Sequence, residues 1–138
     1  MPPFEHYTSR ARDAIRKAHE LAVERGQNQV NPTHLSVALL LQEESVLFSI
    51  LDVLEVDVAG LTDALVESLD GSERGQTLTP SFQIYLTPEL AQVLEHSGKA
   101  ARNLQDEFIG VEHLFLALLE TASAARDILQ RFRVSRDL

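Results

Sequence analysis

The stretch "VNPTHLSVALL", Val30 to Leu40, recurs without a gap as "IGVEHLFLALL", Ile109 to Leu119. His34, Leu35, Ala38, Leu39 and Leu40 find His113, Leu114, Ala117, Leu118 and Leu119 in the same places. Apolar residues at i, i+3 and i+4, here Leu35, Ala38 and Leu39, mark one face of a helix. Asn31-Pro32 supplies a cap followed by proline at the first helical position, so the first copy opens a helix that runs through Leu41.

The repetition extends upstream. Thr8 and Ser9 offer caps for a helix carrying Ala11, Ala14, Ile15, Ala18 and Ala22, which Gly26 ends. Thr87-Pro88 opens its counterpart, with Leu90, Val93, Leu94, Ala101 and Leu104. Downstream, Val46, Ile50, Leu51 and Leu54 are read as the apolar face of a short third helix. "ILDVLEV" (Ile50 to Val56) falls on "ILQRFRV" (Ile128 to Val134) once one residue is removed near 121 to 124. Asp57 caps a fourth helix with Val58, Leu61, Leu65 and Leu69, and Ser123 caps a seventh with Ile128, Leu129 and Phe132.

The predicted fold is therefore all-α. Two pseudo-twofold related four-helix repeats pack as one domain over residues 1–138, because neither half carries a large core alone. Repeat one spans 8–69, a polar linker spans 70–86, and repeat two spans 87–138. Residues 8–56 are expected to superpose on 87–134. The sequence stops at Ser135 to Leu138, where the last helix of repeat two is due, so that helix is read as truncated or absent.

Composition narrows the function. The 138 residues are 44% hydrophobic, with a net charge of −9 and no cysteine. No apolar run approaches the roughly 20 residues of a membrane span, and the N-terminus has no secretory pattern. An acidic surface repels phosphate backbones, so nucleic acid is not an expected partner. Missing cysteines fit a reducing cytoplasm. No phosphate-binding loop, catalytic triad or paired-carboxylate pattern is present, so neither enzymatic activity nor a cofactor is expected. His34 and His113 lack a ligand one turn on, where Ala38 and Ala117 stand. They are assigned to half-buried hydrogen bonds that fix the turn into each helix, and His6, His19 and His96 to the surface.

"TSRAR" (Thr8 to Arg12), "PTHLSVALL", "GVEHLFLALL" and the linker between the copies resemble the double Clp repeat. That is the N-terminal domain of the ClpA, ClpB and ClpC unfoldases, and the likeness covers residues 4 to about 136. "NPTHL" is similar to the ClpB pattern, "IGVEHL" and "TSRAR" to that of ClpC. The resemblance implies a monomeric module that performs no chemistry. It is tethered to a hexameric AAA+ ring in the cytoplasm and takes unfolded or tagged substrates or adaptor proteins. A stand-alone accessory protein that meets the Clp ring in trans is the alternative. The resemblance also implies phosphoarginine sites built from a threonine and a glutamate. Thr87 and Glu112 fit that pair, whereas Thr8 has only Thr33 where a carboxylate belongs. Phe82, Ile84, Tyr85 and Phe115 are candidates for an apolar contact with unfolded segments.

Overall fold

The computed structural model describes residues 6–43, 45–71 and 85–134. Seven helices lie among them: α1 Ser9–Glu24, α2 Pro32–Leu40, α3 Val46–Val53, α4 Val58–Gly71, α5 Pro88–Asn103, α6 Val111–Glu120 and α7 Ala124–Arg131. α4 runs past the expected end of repeat one at residue 69. The rest of the expected linker, 72–84 with Phe82 and Ile84, lies outside the described residues, as does 135–138.

Side chains cap α1, α3, α5 and α7, whereas α6 opens at Gly110 without one. The hydroxyls of Thr8, Ser45, Thr87 and Ser123 each accept a bond from a backbone N–H of the first turn. Such caps satisfy donors that have no partner within the helix. The helix ends repeat as well. Gln27 N–H reaches Ala22 O and Gly26 N–H reaches Val23 O, with Gly26 at φ 67°. The same pair of bonds closes α3 at Glu55 and Val56, α5 at Gln105 and Asp106, and α7 at Arg133 and Val134. All four ends put one residue in the left-handed region, but only Gly26 is a glycine there.

The helices share one core. Leu35, Leu39, Leu114 and Leu118 are all fully buried within a single apolar cluster that draws on both halves. Small α1 residues (Ala11, Ala14, Ala18, Ala22) let α2 approach closely, and every residue of α2 is buried. α2 also meets α4, α5, α6 and α7. Arg25, at the end of α1, fastens α4 through a 2.9 Å ion pair with Asp70.

Leu104, read into the apolar face of α5, is its C-cap and is 58% exposed, and two further features differ from the sequence expectation. The buried face of α3 is Leu47 and Leu51, whereas Val46 and Ile50 point outward. Hydrophobicity alone misplaces the face because six of the eight residues of this helix are apolar. The second difference is a pair of short extended contacts. β1 (Gln29–Val30) pairs in parallel with β2 (Tyr85–Leu86), and Tyr7 bridges Ile109. Thr87 N–H donates to Val30 O at 3.0 Å, and Thr8 N–H to Ile109 O at 2.9 Å. The lead-in to the first helix of each half is thus hydrogen-bonded to the other half, immediately before that half's second helix.

Candidate functional site

This exchange decides which residues meet. Thr87 lies beside Val30, and with Asn31, Thr33 and Glu89 it lines a cavity of about 370 Å³ to which Ser123 also contributes. Glu112 does not line that cavity. The expected pairing of Thr87 with Glu112 assumed contacts within one half, whereas the backbone bonds cross between halves. Thr8 is the threonine drawn toward the start of α6, through Ile109. Both threonine hydroxyls are engaged as caps, to Ala11 N at 3.1 Å and Leu90 N at 3.2 Å. Thr33 is buried. The Glu112 side chain remains 45% exposed, with Oε1 3.4 Å from His113 Nδ1.

The two equivalent histidines are structural in geometry and more deeply buried than expected. A backbone N–H can only donate. His34 Nδ1 therefore accepts from Asn31 N–H at 3.0 Å, and His113 Nδ1 from Gly110 N–H at 2.8 Å. Nε2 is left to donate. His34 gives its proton to Gln27 Oε1 at 2.6 Å, and His113 to Asp106 Oδ2 at 2.8 Å. Burial, with the nearby Arg25 charge second, lowers the His34 pKa to about 4. His96 is not a free surface group, since its Nδ1 lies 2.9 Å from Thr121 Oγ1. Phe115 is only 5% exposed and belongs to the core, so it offers no surface to a ligand. For Tyr85 the backbone alone is described. Among the described residues no cluster of three or more His, Asp or Glu is placed to hold a metal.

A larger groove, of about 620 Å³, opens where the N-terminal lead-in crosses α5. Ala91, Leu94, Gly98, Ala101 and Ile109 give it an apolar floor, and His6, Glu95, Arg102, Asp106 and Glu107 a charged rim. Tyr7 closes one side. Its ring is buried, and burial raises the phenol pKa, offset in part by a hydrogen bond with Ser97. Asp106 thus serves the rim and His113 at once. None of these groove residues was singled out from the sequence. Leu94 and Ala101 read there only as a helix's apolar face, and nothing local reveals that residues 6 and 7 lie across it.

The model of the Clp repeat (R) N-terminal domain matches residues 6–132. The chain belongs to this family. This Clp-repeat domain is 31% identical over 139 residues to the chaperone protein ClpB of Bacillus anthracis. That alignment takes in 94% of the domain and 15% of the chaperone. It is 34% identical over 128 residues to ClpB of Propionibacterium freudenreichii, covering 91% and 14%. The domain therefore spans about one-seventh of the length of these relatives. The Hsp104 N-terminal domain of Candida albicans superposes on 95% of it, and on 84% of its own chain, with a TM-score of 0.82 at 23% identity. A ClpV N-domain in complex with a VipB peptide superposes on 97%, and on 82% of its own chain, with a TM-score of 0.74 at 16% identity. These likenesses establish the fold. No described helix of the Clp-repeat domain is long and apolar enough to cross a membrane.

Proposed function

We propose that this Clp-repeat domain is the receiving module of an ATP-driven Clp-type unfoldase. It takes short peptide segments of substrates or adaptors into the groove between residues 6–7, α5 and the α5–α6 connection. The ATPase ring belongs to a parent protein in the cytoplasm, and residues 8–69 and 87–138 are copies of one ancestral unit. The groove carries this reading. Its apolar floor suits a non-polar side chain, and its mostly acidic rim suits basic flanks and repels acidic ones. A ClpV N-domain has been solved with a VipB peptide, which supports peptide capture on this fold. Weak capture is sufficient in a tethered module, because the tether supplies effective concentration.

Ala91 is an exposed residue of the floor, so Ala91→Arg fills the groove without touching the core. Nuclear magnetic resonance titration with unstructured peptides of one leucine between lysines should move amides near Leu94 and Ile109. Ala91→Arg should suppress those shifts. Unchanged shifts in that variant refute the site.

A further inference from the structure

The α5 groove has a counterpart in repeat one. Two backbone bonds locate it, since Thr8 N–H to Ile109 O and Thr87 N–H to Val30 O join equivalent residues of opposite halves. The groove lies on α5 beside Ile109. The equivalent surface is therefore the side of α1 beside Val30, where α1 meets β1 and β1 pairs with β2. Arg12, Arg16, His19 and Val23 stand there, at i, i+4, i+7 and i+11 along one face of the helix. All four are exposed, Val23 to 53%, and Ile15 beside them is half-buried.

The two surfaces have opposite chemistry. Glu95, Asp106 and Glu107 make the α5 rim acidic. Their equivalents in repeat one are Arg16, Gln27 and Asn28, and Arg12 stands in the place of Ala91. No residue equivalent to one that lines the groove is acidic. Val23 puts an apolar side chain where the groove has Arg102. Helix stability does not account for the arginines. The first turn of α1 holds Arg10 and Arg12 and no acidic residue, although the helix dipole favours a carboxylate there. α5 follows the dipole, with Glu89 in its first turn and Arg102 in its last. Nor do neighbours use up these charges. Among the described residues Arg12 reaches only the Ser9 hydroxyl, at 3.5 Å. Arg16 lies 3.2 Å from Asp13 in an exposed pair, which contributes little, and Glu20 is turned to Lys17.

We propose that this side of α1 is a second peptide-docking surface, for partner segments that carry a non-polar residue flanked by carboxylates. Val23 and Ile15 receive the non-polar residue, and the Arg12 and Arg16 guanidinium groups hold the carboxylates through charge-assisted hydrogen bonds. This assignment rests on the peptide reading of the α5 groove, whose place it takes in the other repeat. Together the two surfaces sort segments by charge, basic ones to repeat two and acidic ones to repeat one, because each repels what the other attracts.

Two short peptides with a single leucine test this, one flanked by glutamates and one by lysines, each added to the isotope-labelled 138-residue chain. The glutamate peptide should move the amides of Arg16, His19 and Val23, and the lysine peptide those near Leu94 and Ile109. Arg16→Glu copies the residue type that α5 carries at this place, so the helix accommodates it. It should weaken the glutamate peptide about fivefold and leave the lysine peptide's shifts near Leu94 as they were. Lys17→Glu changes net charge equally on the other side of α1 and should alter the affinity by no more than about twofold. Lysine-peptide shifts at α5 with no glutamate-peptide shifts at α1 refute the α1 surface and keep the α5 groove. Glutamate-peptide shifts at α1 with no lysine-peptide shifts keep the α1 surface and refute the groove. Equal loss in Arg16→Glu and Lys17→Glu overturns the proposal, since the attraction is then unspecific. Self-association that Arg16→Glu abolishes overturns it too, by making a second copy the occupant.

Discussion

Gln27 and Asp106 occupy the same place in the two repeats, one residue past a left-handed helix end, and each receives the Nε2 proton of a buried histidine. One acceptor is neutral and the other is a carboxylate half exposed on the rim of the groove. The same divergence appears at Asn31 and Gly110, both helix caps, and at Thr33 and Glu112. Positions that define geometry are kept: the histidine that bonds the cap's own N–H, the left-handed end, the leucine pair. Positions in the first turn of the second helix and at the groove rim differ. The two halves share their packing and differ in the chemistry of their rims.

The largest test of that division lies in the core. Leu39→Ala and Leu118→Ala remove equivalent, fully buried side chains. Each should lower stability by about 2–5 kcal/mol. Chemical denaturation monitored by circular dichroism reads both values. A loss below about 1 kcal/mol at either site breaks the equivalence of the two packings.

The next test uses acidity. The folded-state pKa of His34 lies below its unfolded value, so the unfolded chain binds the proton more readily. Its stabilising contribution is intact above about pH 6.5, falls as pH drops, and is gone below about pH 4, a total on the order of 3 kcal/mol. Gln27→Asp gives His34 the carboxylate that repeat two already has, which favours the charged ring. The loss between pH 7 and 5 should therefore shrink in denaturation curves of that variant. An unchanged or steeper acid loss would show that the acceptor does not control this site.

Helix starts and ends give smaller effects. Asn31 Oδ1 accepts from both Thr33 N–H and His34 N–H, whereas Gly110 has no side chain to do so. Asn31→Ala should cost about 1 kcal/mol, and Asn31→Gly only a few tenths, by thermal melting. Gln105→Gly should stabilise by about 0.5–1 kcal/mol, because a side chain at φ 59° is removed from the left-handed region. Gly26→Gln should cost a similar amount. If Gln105→Gly destabilises, the glutamine side chain contributes more than its backbone strain takes away.

The helices were legible because their signals are local. Thr8, Asn31, Ser45, Asp57, Thr87 and Ser123 precede apolar periodicity, and each accepts a bond from an N–H of the helix it opens. The repetition was legible because the same spacing recurs over dozens of residues. The face of α3 was not, since six of its eight residues are apolar and the narrow polar side of Ser49 and Asp52 leaves Val46 and Ile50 looking as eligible as Leu47. Burial of Leu47 and Leu51 depends on where α2 and α6 lie.

The sequence by itself determined an all-α chain, its two copies, and the leucines that face inward, since caps, helical period and side-chain volume act within a turn or two of the backbone. Only the tertiary structure decided which rims adjoin. Bonds from Thr8 to Ile109 and from Thr87 to Val30 cross between the halves, so Thr87 joins Thr33 and the N-terminal lead-in closes the α5 groove. In a duplicated chain the same short extended segment meets equivalent partners within its own half and in the other. The choice between them rests on packing the shared core, and that packing leaves no mark in either segment's own residues.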